Sequence, residues 1–492
     1  MLFNSLAFLI FFPTVFSLYY AIPKKWQLLL LLLASCVFYM AFVPSYILIL
    51  FFLITLDFFL AQIMVKKTGS DRKLFLVLSL LANLSFLFIF KYFNFFNINL
   101  ASLANLLHWN YSLKLLQIAL PLGLSFHIFQ SLSYIIEVYR GKYLPEQNYL
   151  RYSLYVLFFP QMVAGPIERP YNLLPQFIVE HNFNAQQVRQ GLERMLWGFF
   201  KKLIIADWLS VLVNNIYNQP QDFSGWPLII ATIAFAFQIY CDFSGYTDIA
   251  LGAAQVLGYR LIENFNRPYA ARSIADFWKR WHMSLSSWFR DYLYIPLGGN
   301  RVTKSRRYFN LLLVFLLSGL WHGANWTFLI WGFLHGLYLI LELVTKSLKE
   351  RLLKFFQLIK FPKLLIFLEL LMTFSLVNIA WIFFRAGSSS DAFYILSKLT
   401  SNFSNIFNIS YLRYELFTPQ VLGLSRTALA LLVLAIIVME LVQYQQAKHK
   451  TFYIFDRHPV WLRYTWYYGL LFVILFLGYS AHEAKTFIYF QF

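Results

Sequence analysis

Ser318-Gly319-Leu320-Trp321-His322-Gly323-Ala324-Asn325-Trp326 interrupts an apolar run that otherwise extends over 309–345. Basic residues flank both ends of the run, Arg306 and Arg307 before it and Lys346, Lys349 and Arg351 after it. Positive charge gathers on the cytoplasmic side of membrane proteins. Two basic flanks therefore predict a helical hairpin that enters and leaves on the cytoplasmic side. Its broken apex, carrying His322, then lies within the membrane or towards the far face. Gly319 and Gly323 permit an irregular backbone or a close helix approach. Trp321 and Trp326 are expected to wall a dry cavity, and Asn325 to orient the imidazole. Histidine accepts a proton from a hydroxyl near neutral pH, and an ionisable group at membrane depth is a functional candidate by default. The competing reading is a buried histidine satisfied by a backbone carbonyl.

The rest of the chain supports a membrane setting. Its 492 residues are 60% hydrophobic and 13% charged, with a mean hydropathy of +0.58; soluble domains carry about 25% charged residues. Apolar runs near the ~20 residues a bilayer crossing needs recur throughout, and the short alternating strands of a barrel are missing. The fold class is an all-α polytopic membrane protein. The net charge of +19 is assigned to cytoplasmic loops rather than to nucleic-acid binding. Spans are expected at 3–22, 27–43, 46–65, 73–91, 115–137, 226–256, 362–384, 427–445 and 464–480. The start reads as an uncleaved first span, since Lys24 and Lys25 follow the apolar run instead of preceding it. The basic flanks put the N-terminus, the 92–113 connection, 386–425 and the C-terminal tail outside. Cys36 and Cys241 read as packed thiols, and no metal site is expected.

Several stretches are not ordinary spans. Tyr152–Ala164 is short and broken by Pro160 and Gly165-Pro166, which suits a re-entrant segment. Residues 185–215 carry Arg189, Arg194, Lys201 and Lys202 on an otherwise apolar helix, which suits an interfacial or partly inserted helix. In 257–309, Arg and Lys interleave with Trp278, Trp281 and Trp288, which predicts helices at the cytoplasmic interface. His282 sits there, inside Asp276-Phe277-Trp278-Lys279-Arg280-Trp281-His282-Met283-Ser284. Alone, it is more often a structural histidine. Asp276, Arg280, Arg290 and Asp291 read as ion pairs that hold helices. Gln238–Asp248 places Asp242 and Asp248 in an apolar span, and an interhelical hydrogen-bond network is slightly favoured over a pathway. His127, in a span broken at Pro121 and Gly123, is a weaker cavity candidate. The remaining histidines read as loop or interface residues. No phosphate loop, dinucleotide fingerprint, zinc-binding helix or nucleophile elbow occurs. One integral domain, 1–492, is the economical organisation.

The stretches around His282 and His322, with Pro121–Tyr139, Phe159–Pro166, Asp242–Asp248 and Glu263–Tyr269, resemble the membrane-bound O-acyltransferase family. Within it they resemble the bacterial alginate and peptidoglycan O-acetyltransferase branch. The resemblance implies about 11 transmembrane helices plus re-entrant and interfacial helices around a transmembrane tunnel. It implies an active-site histidine at His322 and a second important histidine at His282. Asn325, Trp321, Trp326 and Asp242 then line or support the tunnel, and Arg280, Arg290 and Lys304 rim a cytoplasmic donor entrance. No cofactor is bound; the co-substrate is an acyl thioester, acetyl-CoA in the leading reading. The expected location is the bacterial cytoplasmic (inner) membrane. A periplasmic or extracellular acetyltransferase partner hands the group to an envelope polysaccharide. The ending Phe487-Ile488-Tyr489-Phe490-Gln491-Phe492 resembles a Phe-x-Tyr-x-x-Phe tail in which the tyrosine, here Tyr489, carries the acyl group; its plain alternative is an aromatic membrane anchor. The alternatives in function are D-alanyl transfer to teichoic acid from a carrier protein, and a transporter without chemistry.

Overall fold

The computed structural model describes residues 1–118, 121–162, 165–401 and 418–478, with Asn408, Ser410, Phe487 and Ile488. Among them every regular element is helical. Seven helices are long and apolar enough to cross a bilayer: Pro44–Val65, Gly69–Leu106, Trp226–Val256, Trp326–Val344, Pro362–Arg385, Arg426–His449 and Val460–Leu477. Two shorter helices, Leu6–Ala21 and Lys24–Met40, open the chain. Most expected spans therefore recur within a few residues of their predicted ends.

Two expectations change. The helix expected to end at 91 continues to Leu106 through a π-helical turn at Phe88–Tyr92. No glycine or proline stops it, and two of its asparagines hold the chain that follows. Asn94 exchanges two 2.8 Å hydrogen bonds with the backbone of Leu116, and Asn97 donates to Leu113 and Lys114 carbonyls. They fasten the non-helical return segment. The span expected at 115–137 becomes a helix only at Leu124–Tyr139, because Pro121 and Gly123, in the left-handed region at φ 75°, fix its start.

The chain forms two compact units. One comprises 1–195 with 249–262 and the other 196–248 with 263–491. In the first, Asp57 is buried and accepts from Ser79 and Asn83. The stretch read as re-entrant is a helix, Tyr149–Leu157, followed by irregular backbone, and Tyr152–Met162 are all buried. Protein cover of this kind is what irregular backbone at membrane depth requires. Nearby, the fully buried Glu168 accepts at 2.6 Å from the Ile262 amide and from Asn172, and burial raises its pKa to about 7.

In the second unit the hairpin is present as Lys304–His322 and Trp326–Val344. Its arms touch at glycines. A Cβ on Gly319 would lie 2.2 Å from the Phe328 carbonyl oxygen, and one on Gly332 2.3 Å from that of Phe315. Only hydrogen fits there, so the two backbones approach as closely as small residues allow. The helix expected to lie at the interface does something different with its lysines. They fall in a π-helical segment, Phe200–Ala206, and are buried, Lys201 at 3% and Lys202 at 4% exposure. Carboxylates explain it. Lys201 pairs with Asp248 at 2.6 Å, and Lys202 with Asp242 at 2.5 Å and Asp207 at 2.9 Å.

Candidate active site

His322 is the last residue of the first hairpin arm, so its place follows from where that helix stops. Gly323 allows the stop: a Cβ there would lie 2.1 Å from the Phe328 ring. The imidazole is 4% exposed. It packs edge-on against Trp331 at 5.0 Å and Phe384 at 5.3 Å, and against its neighbour Trp321 at 4.9 Å. Trp321 is buried as expected. Trp326 is not: it is 54% exposed and walls no cavity. Asn325 does not orient the imidazole; its side chain accepts from the Thr327 amide at 3.1 Å and caps the second arm. The phase of the second helix decides the outcome for Trp326: its first turn buries Thr327 and Phe328, the latter against Phe384 at 5.0 Å, and leaves Trp326 on the exposed side.

His282 is reached through Trp321, whose ring centroid is 6.2 Å from it. It is fully buried and has φ 42°, a left-handed conformation uncommon for a residue with a side chain. Asn264 holds the turn. Its carbonyl accepts from Met283 at 2.9 Å and its side-chain oxygen from Ser284 at 3.2 Å, and the same oxygen lies 3.4 Å from His282 Nδ1. Phe243 stands perpendicular to the ring at 4.6 Å. Burial pushes the His282 pKa down to about 3, so the ring is neutral. Strain of this kind persists only where the surroundings over-determine it.

A cavity of about 440 Å³ is lined by residues close in sequence to the two histidines, among them Lys279, Met283, Arg290, Phe315 and Ser318, while neither histidine lines it. Of the basic residues expected at a donor entrance, the structure brings Arg290 to this cavity, where it also pairs with Asp291 at 2.8 Å. Arg280 instead bonds Asp276 at 2.8 Å and reaches the Asn266 carbonyl. Lys304 is exposed at the start of the first hairpin arm. Lys279 is a lining cation that sequence reasoning did not single out.

His335 was also passed over as a loop or interface histidine. It lies in the second hairpin arm, fully buried, and its Nδ1 accepts from Trp278 Nε1 at 3.3 Å. Trp331 stands between it and His322, 5.0 Å from each ring. The signal was present, an ionisable residue in an apolar run. Asp242 is buried in an interhelical network, as favoured from the sequence, and its partner there is the Lys202 ammonium, with Lys201 on Ser244 and Asp248 beside it. Two residues of the tail lie against the same helix: Phe487 packs on Phe243 and Tyr246, and the Ile488 amide donates to Asp242 at 2.7 Å. Tyr489 lies outside the described residues.

The arrangement shields two imidazoles from water among aromatic rings, which suits group transfer to a hydroxyl away from bulk water. Residues 146–384 match the model of the membrane-bound O-acyltransferase family. The chain is 38% identical to a probable alginate O-acetylase of Azotobacter vinelandii, over 82% of this chain and 78% of that protein. It is 35% identical to a peptidoglycan O-acetyltransferase of Helicobacter pylori, over 81% and 80%. Similarity to a teichoic acid D-alanyltransferase of Streptococcus thermophilus is narrower, 30% identity over 45% of this chain and 56% of that one. This chain, a multi-pass membrane protein, belongs to the membrane-bound O-acyltransferase family.

Proposed function

We propose that the chain is an O-acetyltransferase of the bacterial inner membrane. It takes an acetyl group from a cytoplasmic thioester, acetyl-CoA, and passes it outward for O-acetylation of an envelope polysaccharide, peptidoglycan or an alginate-like polymer. The observation that carries this reading is the aromatic box that buries His322 and, across Trp321, His282. The relatives' names support the acetyl group and the polysaccharide. The family match crosses both compact units, which supports treating 1–492 as one acyltransferase domain with 487–492 as its tail.

His322 is the general base. It takes the proton of an incoming hydroxyl as the oxygen attacks the thioester carbonyl; the C–S bond breaks, and the imidazolium returns the proton to the departing thiolate. Such assistance is worth about 10²–10⁴-fold, and a dry box limits hydrolysis of the thioester. His282 supports this step, shaping the inner side of the box. Lys279 and Arg290 attract the anionic part of the donor at the cavity. The hydroxyl is that of Tyr489, which ionises near pH ~10 and so needs a base at neutral pH. The aryl ester then donates to a serine of a periplasmic or extracellular partner, or to a sugar hydroxyl. D-alanyl transfer is the weaker reading, because the likeness to the D-alanyltransferases covers less than half of this chain.

Purified protein incubated with radiolabelled acetyl-CoA should become labelled on its C-terminal peptide. His322→Ala should lower labelling by at least about 10²-fold while folding normally. Near-normal labelling in that variant removes His322 as the base, and labelling from a D-alanyl carrier protein alone replaces the acetyl reading.

A further inference from the structure

Asp242 has two carboxylate oxygens and two different duties. Oδ1 takes the Lys202 ammonium at 2.5 Å. Oδ2 takes the main-chain amide of Ile488 at 2.7 Å. Asp242 is 3% exposed and Ile488 4%, so this is a charge-assisted hydrogen bond shielded from water, the stronger kind. One residue earlier, Phe487 is 1% exposed, 5.0 Å from Tyr246 and 5.5 Å from Phe243. Asp242, Phe243 and Tyr246 lie at i, i+1 and i+4 of a single helix. Phe243 also stands against His282. The tail thus rests on the helix that borders the histidine box, and the next residue in the chain is Tyr489.

We infer that Asp242 is a positioning residue that latches the C-terminal tail by its main chain, with Lys202 fixing the latch and Phe243 and Tyr246 receiving Phe487. This rests on the carrier reading for its purpose, though not for its geometry. An ordinary helix-to-helix ion pair would not account for Oδ2, which is spent on the tail. Recognition through an amide holds the main chain at 488, while the ring at 487 is read by two aromatic neighbours. Lys202 has a second carboxylate, Asp207 at 2.9 Å, so removing Asp242 does not strand a bare cation. Asp242 variants are therefore expected to fold.

The test reads the tail directly. In full-length protein carrying Ile488→Cys, a maleimide should label the introduced thiol slowly, as followed on the C-terminal peptide by mass spectrometry. Asp242→Ala should speed labelling at least about tenfold, as expected for loss of one hydrogen bond to a charged group. Asp242→Asn keeps an oxygen that accepts from an amide and should speed it far less. A folded Asp242→Ala protein with unchanged labelling overturns the latch, and so does Asp242→Asn matching alanine. Hydrogen exchange on the unmutated chain gives a second reading: the Ile488 amide should be protected, and exchange at the rate of a free peptide overturns the inference. The carrier reading fails separately. Normal acylation by Tyr489→Phe ends it while leaving the protection of residue 488 intact.

Discussion

Among the groups that the second unit buries, Lys201 and Lys202 lie as deep as His282 and His322, and they are treated in opposite ways. Lys201 and Lys202 are 3% and 4% exposed, His282 and His322 0% and 4%. Each lysine is met by carboxylates within 3 Å. The histidines are met by rings: Phe243 for His282, and Trp321, Trp331 and Phe384 for His322. A fixed charge removed from water must be paired, because its desolvation penalty is several kcal/mol. A histidine escapes that penalty by staying neutral. A neutral imidazole keeps its capacity to accept a proton. The contrast separates groups whose charge is fixed by partners from groups that burial leaves able to take up a proton, which is what the proposed role of His322 as a base requires.

Breaking the lysine side of this contrast should have the larger effect on folding. Lys202→Met leaves Asp242 and Asp207 buried without their shared cation, which should cost about 3–5 kcal/mol. Thermal unfolding in detergent measures it, and an unchanged Tm would mean that water reaches these carboxylates. On the histidine side, His282→Ala should reduce acyl transfer at least tenfold, roughly 1.4 kcal/mol of transition-state stabilisation, with little change in Tm. Unaltered kinetics would assign His282 to the structure alone. The smallest effect is expected at Trp326. It is exposed, so Trp326→Ala should change stability by no more than about 0.5 kcal/mol and leave transfer intact. A strong defect there would show that the box reaches the first residue of the hairpin's second arm as well as Trp331.

The hairpin was legible because its signals are local: basic flanks, an apolar run, and glycines around a histidine. The same holds for the burial of His322 and Trp321. The lysine pairs were not legible, since two of the three carboxylates, Asp242 and Asp248, lie on another helix, Asp242 40 residues after Lys202, and an isolated lysine on an apolar helix resembles an interfacial one. Asn325 shows a different failure. Its place just before a helix is a capping signature, and that short-range duty took precedence over the imidazole. Trp326 was misjudged because composition says that a tryptophan sits near the box but not which way the first turn of a helix faces. The long helix through 93–106 was hidden by asparagines, whose preference for turns was outweighed by hydrogen bonds to the returning chain.

The hairpin's construction also sets which changes in chain length the protein can accept. Only three residues, Gly323 to Asn325, separate its arms, and both arms are registered by the contacts at Gly319 and Gly332. Adding one residue between those contacts and the apex would turn His322 by about 100° around the helix axis, carrying it out of its aromatic box while the hydropathy profile stayed almost the same. Insertions in this arm should therefore be far less tolerated than point substitutions on its outer face. Among relatives, variation in length should collect in other connections, with this turn kept at constant span.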